Sequence, residues 1–237
     1  MVLSRCYARA EKDGLMDTIF MQYLTYRLDP AWRRLPDEER VCRSTELAET
    51  IEGQVGITTH AYSLTGLKAG RDLLLWRHAT DLAALQMAAA TIHRTELGRY
   101  LAIADSYIGL IGSSTYTRRQ TPQEQAALAQ ERGKYLVIYP FTKTIDWYFL
   151  SQAARQGMMN EHIKVGHEYA HIKQILVYST GLDDQEFIVA YETEDLAEFQ
   201  QLVRDLRATD ARRYTLSDTP IYTAVHRPLR EALELLV

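Results

Sequence analysis

Cysteine is almost missing from this chain of 237 residues: there are two, Cys6 and Cys42, with neither a CxxC spacing nor a framework pattern. That excludes a cysteine-rich zinc site and a disulfide-stapled scaffold, and both thiols read as free in a reducing compartment. Long hydrophobic runs are missing too. No stretch approaches the ~20 apolar residues needed to span a bilayer. The N-terminal MVLSRCYARAEKDGL is broken by charges before a signal sequence could form. A cytoplasmic protein is the expectation. There is no excess of positive charge, since the formal net charge is −4, which argues against general affinity for nucleic acid or anionic membrane. The sequence also has no GxxxxGKS/T, no GxGxxG after a strand, no GxSxG and no HExxH. Phosphate loops, dinucleotide folds, serine hydrolases and zincins therefore lose their simplest support.

What is present is enough to fold. The chain is 46% hydrophobic and 24% charged, a composition that buries a core. It also repeats itself. TGLKAGRDLLLWRHATDLAALQ from Thr65 answers TGLDDQEFIVAYETEDLAEFQ from Thr180, and Arg99-Tyr100 answers Arg213-Tyr214. Upstream, each half gives a strand, a Trp (Trp32, Trp147) and a helix start. Glycine-bearing turns separate apolar runs at 64–70 and 181–184, and Asp81 and Asp195 are placed to cap the helices that follow. Each half reads as strand, helix, strand, strand, helix, strand. The expected fold is α+β: two tandem ferredoxin-like βαββαβ repeats forming a dimeric α/β-barrel type of fold, in which edge pairing between copies removes exposed edges. The expected boundaries are 1–118 for an N-terminal domain without cofactor, 119–133 for a polar linker with a short helix near 123–130, and 134–237 for a C-terminal domain.

Chemistry is left to histidine, tyrosine and a few basic residues. His162 lies in LSQAARQGMMNEHIKVGHEY, a helical pattern in which Met158, Met159, Val165 and Gly166 share its face. An imidazole on an apolar face is either a core histidine bonded to a backbone carbonyl or a ligand to something flat and apolar. His167 and His171 fall off that face and read as solvated. A metal cluster of the three is disfavoured, because spacings of five and four do not bring the rings to one ion. In KYLVIYPFTKTIDWY, Tyr139 ends an apolar strand before Pro140, and Lys143 follows four residues on. A phenol can lose an electron and a proton, and an ammonium suits a carboxylate. Pattern alone equally allows a strand-end aromatic and a surface lysine.

Taken together, YPFTK (139–143), DWY (146–148), MMNEHIKVG (158–166), QILVYSTGLDDQEFIVAYET (174–193) and RDLRATDARRYTLSDTPIYT (204–223) resemble the chlorite dismutase-like family, which includes chlorite dismutases and coproheme decarboxylases. The resemblance implies a haem or coproheme in the C-terminal half, commonly within a pentamer. It implies His162 as the proximal iron ligand and Asp210 as the acid bonded to that ligand's other nitrogen. Trp147 and Gln174 would contact the porphyrin, while Lys143 and Arg207 would contact its propionates. Chlorite dismutases carry a distal Arg where this chain has Gln174, and a neutral amide lacks the fixed charge for holding chlorite. The set Tyr139, Lys143 and Gln174 instead resembles coproheme decarboxylases.

The implied reaction uses hydrogen peroxide. Tyr139 is oxidised and attacks a propionate of iron-coproporphyrin III, and two rounds give haem b. DDQEFIV (183–189) departs from the decarboxylase pattern toward chlorite dismutase, and YPFTKTIDWY is shorter than its decarboxylase counterpart. Chlorite turnover is the alternative reaction. A haem carrier or sensor, and a plain barrel with His162 packed in its core, are the other readings.

Overall fold

The structure, a computed structural model, describes residues 18–111 and 129–237. Cys6 and nearly all of the expected 123–130 helix lie outside the described residues.

The first half runs β1 (Phe20–Leu28), α1 (Asp37–Glu52), β2 (Thr58–Lys68), β3 (Arg71–Ala79), α2 (Leu82–Arg94) and β4 (Leu101–Leu110). The second runs β5 (Tyr135–Lys143), α3 (Ile145–Phe149), α4 (Gln152–Glu168), β6 (Lys173–Tyr178), β7 (Phe187–Thr193), α5 (Leu196–Arg207), β8 (Thr215–Ser217), β9 (Tyr222–Arg227) and α6 (Leu229–Glu234). Local chemistry sets the boundaries. Asp81 accepts from the Ala83 amide, and Asp195 accepts from those of Ala197 and Glu198, supplying partners to otherwise orphaned helix-start donors. The turn from β2 to β3 is tighter than the 64–70 expected from sequence. It needs only Ala69 and Gly70, with φ of +68° at Gly70.

All strand pairs are antiparallel, in the order β7-β6-β4-β1-β3-β2-β9-β5, and β5 pairs back onto β7 to close the ring. The halves meet at two seams. Tyr62 lies opposite His226 on β2 and β9, and Leu110 lies opposite Tyr178 on β4 and β6. The fold is a mixed α/β one around a closed antiparallel barrel, and closure leaves no edge among these eight strands.

Side chains alternate along each strand, so one set fills the barrel and the other faces the helices. Tyr23, Tyr62, Trp76, Leu136, Ile138 and Tyr222 point inward. Leu24, Tyr26, Leu73 and Leu75 pack outward with Trp32, Leu47, Ile51 and Ile92. Trp32 is completely buried and donates its indole N–H to the Leu236 carbonyl at 2.7 Å.

The tail of the expected linker is not a loose connection. Arg132 stands 4.5 Å from the centroid of the Trp76 ring and 3.6 Å from Glu192, with both charged side chains wholly buried. Glu192 also accepts from the Tyr62 hydroxyl at 3.0 Å and the Gly133 amide at 3.1 Å. Composition suggested a polar linker to residue 133, but charges that find partners can be buried. No helix among the described residues is long and apolar enough to cross a membrane.

Candidate active site

The outer face of the second half differs from that of the first. Where α1 lays buried side chains on the sheet, α4 buries none. The space beneath it is a cavity of about 480 Å³.

Strand periodicity builds one wall. Val137, Tyr139, Phe141 and Lys143 of β5 line it, as do Gln174, Leu176 and Tyr178 of β6, and Phe187, Val189 and Tyr191 of β7. The registers align them in rows: Val137–Tyr191–Gln174, Tyr139–Val189–Leu176 and Phe141–Phe187–Tyr178. The helical wall comes from Arg155, Met159, His162, Ile163, Gly166 and His167 of α4 and from Phe199, Val203, Leu206 and Arg207 of α5. Trp147 and Tyr148 of α3 close one side.

The cavity thus gathers His162, Tyr139, Lys143, Trp147, Gln174 and Arg207. The helix face differs in detail from the expected one. Met159 and Gly166 line the cavity, as does exposed His167, whereas Met158 does not, and Val165 packs against the core beside Ile172 and Tyr191. His171 is exposed and sits 2.7 Å from Glu198. Among the described residues no group of three His, Cys, Asp or Glu side chains is disposed to hold a metal ion.

Asp210 is the expectation the geometry does not meet. Its side chain is 63% exposed and faces Arg213 at 3.4 Å. The Nδ1 of His162 is buried without a hydrogen-bond partner. Asp210 sits in a 3-10 turn over Asp210–Tyr214, whose direction sends the short carboxylate toward solvent.

Electrostatics sort the lining. Burial, aided by the Lys143 charge, pushes the His162 imidazole down to about 4, so it is neutral near pH 7. Burial pulls the Lys143 ammonium down to about 8, with Glu186 acting to raise it and Arg212 to lower it. Its Nζ lies 4.2 Å from the centroid of the Trp147 ring. Burial pushes Tyr139 up to about 12. Arg207 and Arg212 both bind Asp218, at 3.1 and 2.5 Å. Arg155 of α4, Arg212 of the 3-10 turn Asp210–Tyr214 and Asp218 after β8 were not singled out from sequence, since a charged residue among many carries no pattern of its own.

Residues 37–227 match the model of a protein family described as chlorite dismutase. The chain belongs to the chlorite dismutase family. It is 29% identical over 218 residues to a coproheme decarboxylase of Mycolicibacterium smegmatis, spanning 91% of this chain and 94% of that one. It is 30% identical over 213 residues to a coproheme decarboxylase of Staphylococcus carnosus, spanning 81% and 85%. Among solved structures, a mutant chlorite dismutase of Candidatus Nitrospira defluvii superposes with a TM-score of 0.84 at 31% identity, covering 91% of this chain and 94% of the other.

Members of the chlorite dismutase family bind haem b or coproheme and are haem-dependent oxidoreductases. The residues present fit such a group. The cavity has apolar walls, a neutral imidazole with one buried nitrogen unpartnered, and cationic side chains around it. An iron porphyrin is flat, apolar in the middle and anionic at its carboxylates, and so asks for these three things together.

Proposed function

We propose that this protein is a peroxide-dependent coproheme decarboxylase that converts iron-coproporphyrin III to haem b. The observation that carries this reading is the face of β5: Tyr139 and Lys143 line one cavity wall, and neutral His162 lines the wall across from it.

His162 would hold the iron through a neutral nitrogen. The bound iron porphyrin, with peroxide, supplies the oxidising power. Lys143, backed by the Trp147 ring, orients a propionate carboxylate by charge, and Arg155 adds a second cation to the same lining. Tyr139 gives up one electron and its proton, and then takes a hydrogen atom from the oriented propionate. For each propionate, the carboxylate side chain loses carbon dioxide, one proton and two electrons and becomes vinyl, and solvent supplies a second proton. One hydrogen peroxide becomes two waters. Gln174 presents a neutral amide to the cavity, which leaves that position without a fixed charge for an inorganic anion.

The second reading, chlorite dismutation, is favoured by the close superposition on the Nitrospira enzyme. One experiment separates the two. The protein is loaded with iron-coproporphyrin III, peroxide is added stepwise, and porphyrin mass is followed, with a parallel sample given chlorite and an oxygen electrode. Two successive losses of carbon dioxide with two hydrogens are expected, and Tyr139→Phe should abolish them while leaving porphyrin bound. Unchanged porphyrin with oxygen release from chlorite would replace the first reading by the second.

Each half is best read as a ferredoxin-like repeat, with domains at 1–118 and 134–237 joined by 119–133. The strand orders β4-β1-β3-β2 and β9-β5-β7-β6 support it. A homopentamer in the cytoplasm is the assembly and place we favour. Exposed Ile145 and Phe149 on α3, with Leu216 on β8, offer an apolar surface beside the cavity for a neighbouring copy.

A further inference from the structure

Lys143 ends β5 at a place where the sheet is irregular. The ladder between β5 and β7 stops at Phe141 opposite Phe187. In the same register Lys143 would face Gln185, which lies before β7 begins. On its other side β5 pairs with β8, and there the register shifts between Thr142 and Lys143. The ladder is thus interrupted on both sides of the lysine, and a backbone amide that loses its ladder partner must find another.

Glu186 supplies one. Its carboxylate accepts from the Lys143 backbone N–H at 2.7 Å. The next amide, that of Thr144, turns the other way and donates to the Tyr214 carbonyl at 2.9 Å. Glu186 is itself anchored, because its carbonyl accepts from the Ser179 amide at 2.8 Å and from the Thr180 hydroxyl at 3.2 Å. It is half-buried and does not line the cavity, so its carboxylate works from behind the wall. That carboxylate grips the lysine backbone, while the ammonium lies against the rings of Trp147 and Phe141 at the cavity. An acid paired directly to the ammonium would compete with an incoming carboxylate. One that holds the amide orients the side chain and leaves its charge available. Glu186 also favours the charged form of the lysine, against Arg212, which opposes it.

We propose that Glu186 is a positioning residue for Lys143: by accepting from the Lys143 amide where the ladder ends, it fixes the lysine so that the ammonium meets a substrate carboxylate at the cavity wall. Glu186 touches neither substrate nor iron in this scheme. The inference deepens the coproheme decarboxylase reading and rests on it for the identity of the carboxylate, but not for the grip on the amide.

The test has two arms in the full-length protein. In the first, without porphyrin, amide hydrogen exchange at Lys143 is followed by NMR and measured against Val137 and Val189 in the same sheet. Glu186→Ala should speed the relative exchange about fivefold to tenfold, one hydrogen bond's worth. Glu186→Gln, whose amide oxygen still accepts, should restore most of the protection.

In the second arm, affinity for metal-free coproporphyrin III is read by fluorescence quenching at pH 6, below the range in which Lys143 gives up its proton. Glu186→Ala should bind about fivefold more weakly, and Glu186→Gln within about twofold of the parent. In a Lys143→Met background, Glu186→Ala should cost nothing further, because the glutamate acts through the lysine. Unchanged relative exchange at Lys143 in Glu186→Ala overturns the proposal. So does an affinity loss of the same size with and without the lysine, which would make Glu186 a general prop of the sheet. If Lys143→Met alone leaves affinity unaltered, the lysine has no part in binding the carboxylate and the proposal falls with it. A parent protein that binds iron-coproporphyrin III without decarboxylating it sinks the coproheme reading and leaves both arms standing.

Discussion

The ammonium of Lys143 lies 4.2 Å from the centroid of the Trp147 ring and 5.1 Å from that of Phe141. The two aromatic faces hold a cation at the cavity wall where water is scarce, and burial weakens its hold on the proton to about 8.

Carboxylate binding should therefore depend on pH through Lys143. Protonated lysine attracts a propionate, so affinity is full below pH 8 and declines as pH rises through that value. Fluorescence-quenching titration with metal-free coproporphyrin should show this fall. In Lys143→Met the affinity should be about tenfold lower near pH 7 and the alkaline decline should be gone.

His162→Ala removes the neutral imidazole while leaving the apolar walls in place. Iron-coproporphyrin III should still enter, with a changed Soret band and about 10–100-fold weaker binding. Exogenous imidazole should restore the spectrum of the parent protein. An unaltered spectrum in His162→Ala would remove His162 from the iron.

Gln174→Arg places a guanidinium across from Tyr191. The affinity of the loaded protein for azide should rise about tenfold, one charge-assisted hydrogen bond's worth. Optical titration reads the change directly.

Acid stability should depend on the barrel interior as well as on His162 outside it. Burial pushes His60 down to about 4, helped by Arg132, His78 and His226, and burial with Arg132 lowers His78 and His226. Unfolded histidine takes up its proton near 6.5, so between pH 6.5 and about 4 the unfolded chain binds more protons than the folded one. The midpoint of thermal unfolding should fall as pH drops through that window, and His60→Phe should flatten the slope. Glu192, whose carboxyl is pushed up by burial, works in the opposite sense at the acid end.

Most of the site residues named from the chain line the candidate cavity, and the family resemblance, more than periodicity, singled them out. The sequence ended the strand at Tyr139, before Pro140, whereas β5 runs through Pro140 to Lys143 and so puts Tyr139 and Lys143 on one face; His162 was placed among its apolar neighbours on a helix. The element order of each half followed from turn glycines and capping aspartates. Tyr191 was equally within reach, two steps along β7 from Val189 on the same face, but which strand lies beside β7 is not written in β7. Arg132 escaped because a polar segment can bury one charge against an acid sixty residues away. Asp210 was misplaced for a related reason: the resemblance gives a position, while the turn that carries it decides where a short carboxylate points.

The helix that carries His162 buries none of its own side chains, although it spans Gln152–Glu168 and lies against the body of the protein. Its inner face has Met159, Ile163 and the bare backbone of Gly166 looking onto open space. On the proposed function, a porphyrin would serve that helix as a layer of hydrophobic core. Amide exchange along α4 should accordingly slow on loading far more than along α1, whose inner face is already packed. The extent of that slowing would gauge how much of the second half's tertiary structure the ligand itself provides.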